Sequence, residues 1–148
     1  MQKKVLVVDD EADITQRMKE IIDREGYQAL TASNGVEALE VLKGTSVDLV
    51  LTDAGMPKMR GEDLVTAING RYDFQREEYA KKCFGGDVAA YDAFVEKHKS
   101  TPVLMMSKDP DIIGGSAKII GALGCFPKSY TWPPFDEVQL VQTLRQYL

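Results

Sequence analysis

Residues 47–57 constrain the fold of this chain more than any other stretch. They read Val-Asp-Leu-Val-Leu-Thr-Asp-Ala-Gly-Met-Pro, so a short apolar run at 49–51 ends on the carboxylate of Asp53 and then on a turn. An apolar run of this length is typical of a strand that is buried on both faces, as in a parallel sheet covered by helices. Because ligands and chemistry gather at the carboxyl ends of such strands, Asp53 is the first candidate functional residue.

The rest of the chain repeats this design, because short apolar runs alternate with apolar residues at helical spacing. Strands are predicted at residues 4–8, 27–31, 49–53, 101–107 and 125–128. Helices are predicted at residues 14–22, 36–42, 62–68 and 138–148, and after a cap formed by Asp109. Strands that alternate with helices in units of this size indicate an α/β fold with a doubly wound, five-stranded parallel sheet and five helices.

One segment, residues 69–100, is longer than the crossover between the third helix and the fourth strand requires. This inserted segment contains six of the chain's twelve aromatic residues. Its second half has one apolar helical face, made by Val88, Tyr91, Phe94, Val95 and His98. We therefore expect one or two small helices, which pack on the parent domain, on a second copy of the chain or on a partner.

The composition is that of one globular domain covering residues 1–148. A net charge of -5 argues against general binding of nucleic acids, and no apolar stretch has the length of a membrane span. The two cysteines, Cys83 and Cys125, form neither a metal-ligand spacing nor a disulfide framework. These features predict a reduced, cytoplasmic setting without a nucleic-acid or membrane partner.

The polar residues at the predicted strand ends indicate phosphoryl chemistry. Asp9 and Asp10 follow the first strand and Asp53 ends the third, so three carboxylates converge at one edge of the sheet. Carboxylates that crowd together repel one another, and Mg2+ is a cation that prefers such oxygen ligands. Lys128 supplies a positive charge for a phosphate and Ser107 a hydroxyl donor. The set predicts a site in which Asp53 is the nucleophile and forms an aspartyl phosphate.

These residues resemble the motifs of the response-regulator receiver domain, the chemotaxis-regulator-like fold of two-component signalling. The motifs are Val-Val-Asp-Asp-Glu at 7–11, Asp-Ala-Gly-Met-Pro-Lys-Met-Arg-Gly at 53–61, Ser107 after the fourth strand and Lys128 after the fifth. The resemblance covers residues 4–148 except for the inserted segment. It implies a flavodoxin-like sheet with the strand order 2-1-3-4-5.

The resemblance also implies a role for each site residue. Asp53 would accept a phosphoryl group from a histidine kinase or a phosphotransfer protein. Mg2+ would be bound by Asp10, Asp53 and the backbone carbonyl of Gly55, with Asp9 acting directly or through water. Ser107 and Lys128 would contact the phosphate, and the change would spread to the face formed by the family's fourth helix, fifth strand and fifth helix.

Three residues are candidate modulators, and two of them, Cys125 and Lys108, depart from the family pattern. Cys125 stands where the family commonly has a Tyr or Phe that moves with the switch hydroxyl. Phe126 is adjacent, but strand alternation predicts that it points to the opposite face. Lys108 replaces a small residue and would either shield the phosphate or bind it. We expect phosphorylation to be retained and the switch mechanism to be atypical.

The leading functional hypothesis is a stand-alone receiver that is not an enzyme and that signals through protein contacts or onward transfer in a phosphorelay. The alternative is a phosphorylation-independent binding module that acts through the inserted segment, which is also a candidate surface for homodimer formation. Two enzyme-like alternatives have less support. A flavodoxin-like flavin protein would need a phosphate-binding loop where this chain has acids, and an aspartate-nucleophile phosphatase would need an acid in place of Gly55.

Overall fold

The computed structural model describes residues 2–148 and contains a five-stranded parallel sheet. The strands are β1 (Lys4–Val8), β2 (Gln28–Ala32), β3 (Leu49–Asp53), β4 (Val103–Ser107) and β5 (Cys125–Pro127). Their order in the sheet is β2-β1-β3-β4-β5, and every neighbouring pair is parallel. The predicted fold class and strand order are confirmed.

Seven α-helices surround the sheet within residues 2–148, two more than the alternating pattern alone predicts. They are α1 (Ala12–Arg24), α2 (Gly35–Gly44), α3 (Gly61–Asn69), α4 (Arg76–Cys83), α5 (Val88–His98), α6 (Pro110–Ile119) and α7 (Glu137–Tyr147). The additional helices, α4 and α5, belong to the inserted segment and follow a short 3-10 turn at Asp73–Gln75. None of the helices in the described residues is long and apolar enough to cross a membrane.

Alternate residues of the central strands supply two separate apolar cores. In β1, Leu6 and Val8 pack on the side of α2 and α3, whereas Val5 and Val7 pack on the side of α1 and α7. All four side chains are fully buried, as expected for a strand that is covered on both faces. This double cover fixes the register of the strands, and with it the place where each strand ends.

Two helices differ in how their first turn is capped. The side chain of Asp87 accepts a hydrogen bond from Ala90 N at 3.0 Å and so caps α5. The side-chain cap predicted for Asp109 is wrong, because Asp109 makes no side-chain hydrogen bond to α6. Its carboxylate instead accepts a hydrogen bond from the hydroxyl of Tyr130 at 3.1 Å. The hydroxyl of Tyr130 therefore takes the place of a helix N–H group as the hydrogen-bond donor to Asp109.

The inserted segment packs on its own domain, against α2 and α3. The hydroxyls of Tyr79 and Thr66 are hydrogen-bonded at 2.7 Å, and Tyr91 donates to the carbonyl of Ala67 at 2.9 Å. Both tyrosines and Phe94 are buried within the same core as the α2 and α3 side chains. Of the three surfaces expected to cover the aromatic face, the parent domain is the one that does so in this structure.

Candidate functional site

Three carboxylates meet at the carboxyl edge of the sheet, as the strand ends predict. Asp9 and Asp10 follow β1, Asp53 ends β3, and one oxygen of each lies within 4.8 Å of the others. Asp9 is fully buried, Asp53 is nearly so, and Asp10 is exposed. The parallel register of β1 and β3 produces this cluster, since it brings the two strand ends to the same height.

Lys128 enters the same cluster from the other side. Its ammonium donates a hydrogen bond to Asp9 Oδ2 at 2.8 Å and lies 3.3 Å from Asp53 Oδ1. Only 2% of the Lys128 side chain is exposed, so both contacts are shielded from water. Its backbone N–H donates to the carbonyl of Ser107 at 2.8 Å, which ties the end of β5 to the end of β4.

The electrostatics of the cluster follow from burial and from an excess of negative charge. Burial and then the charge of Asp9 raise the pKa of Asp53 from 3.8 to about 6, although Lys128 opposes this shift. Burial also raises the pKa of Asp9, although its hydrogen bond with Lys128 acts in the opposite direction. For Lys128, burial lowers the pKa, but the two carboxylates outweigh burial and raise it. The ammonium form is therefore the stable one.

The donor atoms of this cluster fit a magnesium ion. Carboxylate oxygens are the hard ligands that Mg2+ prefers, and Asp10 is exposed on the open side of the group. One ammonium faces three carboxyl groups, so a divalent cation would relieve the remaining repulsion. Gly55, the fourth predicted ligand, lies exposed on the loop two residues after Asp53.

The β3–α3 loop, residues 54–60, closes tightly behind Asp53. The N–H of Gly61 donates to the carbonyl of Ala54 at 3.0 Å, which joins the two ends of the loop. A Cβ atom on Gly61 would lie 2.2 Å from the carbonyl oxygen of Asp53, so only glycine permits this approach. Gly61 belongs to the motif at 53–61, which by itself assigns it no role. A glycine at the first residue of a helix is the sequence feature that could have indicated this close approach.

The same loop contains a γ-turn that the sequence analysis missed. Met59 N donates to Pro57 O at 2.7 Å, and Lys58 between them has a φ of 67°. This turn is rare and strained for a residue other than glycine, and such strain costs about 1–3 kcal/mol. The side chains of Met56 and Met59 are buried and hold the loop from within. A lysine carries no sequence signal for this conformation, since Gly, Asn and Asp are the residues that commonly adopt it.

Comparisons with known proteins agree with this geometry. A family model for the response regulator receiver domain matches residues 5–76. The chemotaxis protein CheY of Thermotoga maritima is 44% identical over 69 residues, which are 46% of this chain and 58% of that protein. The crystallised chemotaxis response regulator CheY4 of Vibrio cholerae superposes with a TM-score of 0.70 at 27% identity, and the alignment covers 100% of both chains. Residues 5–76 therefore match the response regulator receiver domain, and the whole chain shares the fold of CheY4.

A further relative shows the same domain within a longer protein. The transcriptional regulatory protein CpxR of Escherichia coli (strain K12) is 40% identical over 65 residues, which are 44% of this chain. The chain thus matches only 28% of the length of CpxR. The match links residues 5–76 to the receiver domains of two-component signalling, in which phosphoryl acceptance on an aspartate follows from the family. It favours a receiver over the flavin-protein and phosphatase alternatives.

Ser107 lies where the receiver pattern requires a hydroxyl. It ends β4 one residue beyond Met106, which is the register partner of Asp53. Its side-chain oxygen accepts a hydrogen bond from Asp109 N at 2.9 Å, so the hydroxyl shapes the loop that leads to α6. The structure thus brings Ser107 to the same edge as Asp53 and Lys128.

Lys108 lies at the rim of the site and contacts neighbouring side chains. Its ammonium is 5.2 Å from the centre of the Tyr130 ring and 4.0 Å from a carboxylate oxygen of Glu11. These contacts join the loops that follow β1, β4 and β5. Whether Lys108 shields or binds a phosphate stays a prediction.

Cys125 and Phe126 point to opposite faces of β5, as strand alternation predicts. Phe126 is buried on the side of α1 and α7, with its ring centre 6.4 Å from that of Phe135. Cys125 is a free, half-buried cysteine, and burial, with a smaller contribution from the charge of Asp53, raises the pKa of its thiol to about 11. Phe126 therefore does not replace the aromatic ring that receivers commonly have at position 125.

Proposed function

We propose that this receiver accepts its phosphoryl group on Asp53, from a histidine kinase or a phosphotransfer protein. The observation that carries the proposal is the position of Asp53 at the end of β3, 3.3 Å from the buried ammonium of Lys128 and within 4.8 Å of the oxygens of Asp9 and Asp10. This arrangement supplies a nucleophile, a cation for the phosphate and a set of metal ligands in one place.

Asp9, Asp10, Asp53 and the backbone carbonyl of Gly55 are the proposed ligands of Mg2+. When bound, the ion would neutralise charge on the phosphoryl oxygens and on the attacking carboxylate. Support comes from the oxygen-only donor set and from the crowding of three carboxyl groups around the single ammonium of Lys128.

The other roles in the proposed phosphoryl transfer belong to side chains of this chain. An ionised oxygen of Asp53 attacks phosphorus while the bond from phosphorus to the donor nitrogen breaks, and that electron pair stays on the donor imidazole. Lys128 then pairs with a phosphoryl oxygen, and Ser107 donates its hydroxyl to another. Asp9 keeps Lys128 in place through the 2.8 Å hydrogen bond.

The proposed output surface is the face formed by α6, β5 and α7, which correspond to the fourth helix, fifth strand and fifth helix of the family. It carries three exposed apolar side chains, Ile112, Ile119 and Val138. Exposed apolar residues of this kind suit a protein partner. Because a receiver changes its contacts rather than converting a substrate, we propose no enzymatic activity beyond phosphoryl acceptance.

The experiment is intact-mass spectrometry after incubation with acetyl phosphate and Mg2+. The wild-type protein should gain the mass of one phosphoryl group, whereas Asp53→Asn should gain none. Beryllofluoride, a phosphoryl mimic, should bind only when Mg2+ is present. A wild-type chain that stays unmodified while a known receiver is phosphorylated in parallel would contradict the proposal.

The alternative, a phosphorylation-independent module that acts through the inserted segment, has less support. Three of its six aromatic residues, Tyr79, Tyr91 and Phe94, are buried against the chain's own helices and are not available to a partner, whereas Phe74 is 80% exposed. If the Asp53→Asn variant bound its partner as well as the phosphorylated wild type, the alternative would gain over the leading proposal.

A further inference from the structure

One side chain of the inserted segment reaches the β3–α3 loop. Lys82, in the last turn of α4, donates a hydrogen bond from its ammonium to the backbone carbonyl of Lys58 at 2.6 Å. Lys58 is the residue at the centre of the γ-turn. The insertion is therefore connected to the loop that begins immediately after Asp53.

This hydrogen bond acts on the most strained point of the loop. A γ-turn with a positive φ at a lysine persists only where its surroundings hold it in place. Met56 and Met59 hold the loop from the core, and Lys82 holds the carbonyl of Lys58 from outside. An ammonium donor makes a stronger bond to a carbonyl than a neutral donor does.

The part of α4 that carries Lys82 is held in place by contacts with neighbouring helices. In the preceding turn of α4, the hydroxyl of Tyr79 is hydrogen-bonded to Thr66 of α3. At the end of α4, the ammonium of Lys43 donates to the backbone carbonyl of Cys83. Because contacts with α2 and α3 flank Lys82, its backbone is held at a defined height beside the loop.

The loop conformation bears on the chemistry because the loop carries Gly55. Its two ends are joined by the hydrogen bond from Gly61 to Ala54, so a change at Lys58 is transmitted within a short closed loop. Gly55 lies three residues before Lys58, and its carbonyl is a proposed Mg2+ ligand. We propose that Lys82 is a positioning residue for this site, through which the inserted segment sets the affinity for metal and phosphoryl group. This inference rests on the proposed function of Asp53.

The test compares Lys82→Met, Lys82→Arg and Lys81→Met in the full chain. Lys81 is the matched control. It is an exposed lysine of the same helix, and its side chain makes no hydrogen bond or ion pair within residues 2–148. Isothermal titration calorimetry would measure the Mg2+ concentration that half-saturates the beryllofluoride complex. We expect this concentration to rise about threefold in Lys82→Met, to return towards wild type in Lys82→Arg and to stay unchanged in Lys81→Met.

The comparison of the two methionine variants separates positioning from simple electrostatics. Both variants lose one positive charge, so a purely electrostatic effect on the Mg2+ and beryllofluoride complex should appear in both. Weaker binding in Lys82→Met alone therefore reports a change in the conformation of the β3–α3 loop. Hydrogen exchange of the Met59 N–H should also become faster in Lys82→Met, because that N–H closes the γ-turn.

The outcomes distinguish this inference from the proposed function. If the wild type binds Mg2+ and is phosphorylated on Asp53 while Lys82→Met behaves like Lys81→Met, the role of Lys82 is overturned and the proposed function stands. If weakening in Lys82→Met is not reversed by Lys82→Arg, the hydrogen bond is not its cause and the inference fails. If the wild type neither binds Mg2+ nor gains a phosphoryl group, both proposals fail together.

Discussion

The carboxyl edge of the sheet and the inserted segment both bury polar side chains, but they pair those side chains in opposite ways. At the edge, the single ammonium of Lys128 faces the carboxyl groups of Asp9 and Asp53, so negative charge is in excess. In the inserted segment, the hydroxyls of Tyr79 and Tyr91 each meet one neutral oxygen. The first arrangement is incomplete without a ligand. In the second, the two tyrosine hydroxyls are paired as folded, although the buried His98 ring has no side-chain hydrogen-bond partner among the described residues.

This difference appears in the pKa values of the two regions. Burial and the charge of Asp9 raise the pKa of Asp53 to about 6, so its ionised form is disfavoured by folding. Burial raises the pKa of Tyr79 to about 12, which only keeps the hydroxyl in the neutral form it already has. Replacing the carboxylate of Asp53 at the edge should therefore remove function and add stability. Substitutions in the inserted segment should remove stability and leave phosphoryl acceptance intact.

The largest expected effect is that of Asp53→Asn, which should abolish phosphorylation while raising the melting temperature of the metal-free protein. Because the pKa of Asp53 is higher in the folded state than 3.8, its contribution to stability is present at low pH and is lost as the pH rises through about 6. The variant should therefore gain up to about 3 kcal/mol above that pH, and little near pH 4. Thermal denaturation without Mg2+ across this pH range measures the gain.

The exposed residue Asp13 provides the control for that experiment. Asp13→Asn makes the same change of charge outside the cluster and should shift the melting temperature little at any pH. A loss of stability in Asp53→Asn above pH 6 would show that the carboxylate stabilises the metal-free fold. That result would contradict the statement that folding disfavours the ionised form of Asp53.

Gly61→Ala should have the next largest effect, because it disturbs the edge through its backbone. The added Cβ would lie 2.2 Å from the carbonyl oxygen of Asp53 and 2.9 Å from Ala54 Cα. We expect a loss of about 2 kcal/mol in the free energy of unfolding, together with weaker Mg2+ binding. Denaturant unfolding and calorimetry measure the two quantities.

The matched control for Gly61→Ala is Gly115→Ala in α6, where a new Cβ meets no atom within 4 Å. Alanine is the better helix former, so this variant should gain about 0.5–1 kcal/mol and keep its Mg2+ affinity. Equal effects of the two substitutions would show that the close approach at Gly61 is not what shapes the loop.

Tyr91→Phe tests the inserted segment. It removes one buried hydrogen bond, to the carbonyl of Ala67, and should lower the free energy of unfolding by about 1 kcal/mol. Phosphorylation of Asp53 should be unchanged. Tyr72→Phe is the control, since the Tyr72 hydroxyl makes no hydrogen bond within residues 2–148. A phosphorylation defect in Tyr91→Phe alone would break the separation of the two regions.

The smallest effect is expected from Arg76→Ala. Arg76 and Asp92 form an ion pair on the outer surface of the inserted segment, and both side chains are roughly half exposed. Water and salt screen such a pair, so the melting temperature should not change measurably at either low or high ionic strength. A drop as large as that of Tyr91→Phe would show that surface charge, and not only packed hydroxyls, holds the segment.

The sequence predicts the ends of β3 and β4 well, because each of these apolar runs ends at a polar residue. Asp53 and Ser107 are the last residues of β3 and β4, as expected. β2 begins at Gln28 rather than Tyr27, because Tyr27 N donates to Ile22 O of the preceding helix. Local hydrogen bonds of this kind shift the boundary of a strand, and the spacing of apolar residues does not predict them.

Features that depend on contacts between distant residues could not be predicted in this way. The apolar periodicity of residues 88–98 reveals a buried face but not which surface covers it. Lys81 and Lys82 are equivalent in sequence, and only the fold places one of them beside the carbonyl of Lys58. The γ-turn at Lys58 is likewise imposed by its surroundings rather than by residue preference.

The burial of Lys128 also decides which reactions the pocket allows. Because its two carboxylate neighbours keep it an ammonium ion, its nitrogen has no lone pair to offer an electrophile. Acetyl phosphate carries two electrophilic centres, an acyl carbon and a phosphorus atom. An amine of ordinary basicity on the surface can be acetylated by the first, whereas Lys128 is protected. Within the pocket, the proposed nucleophile is the carboxylate of Asp53, and phosphorus is the centre that it would attack.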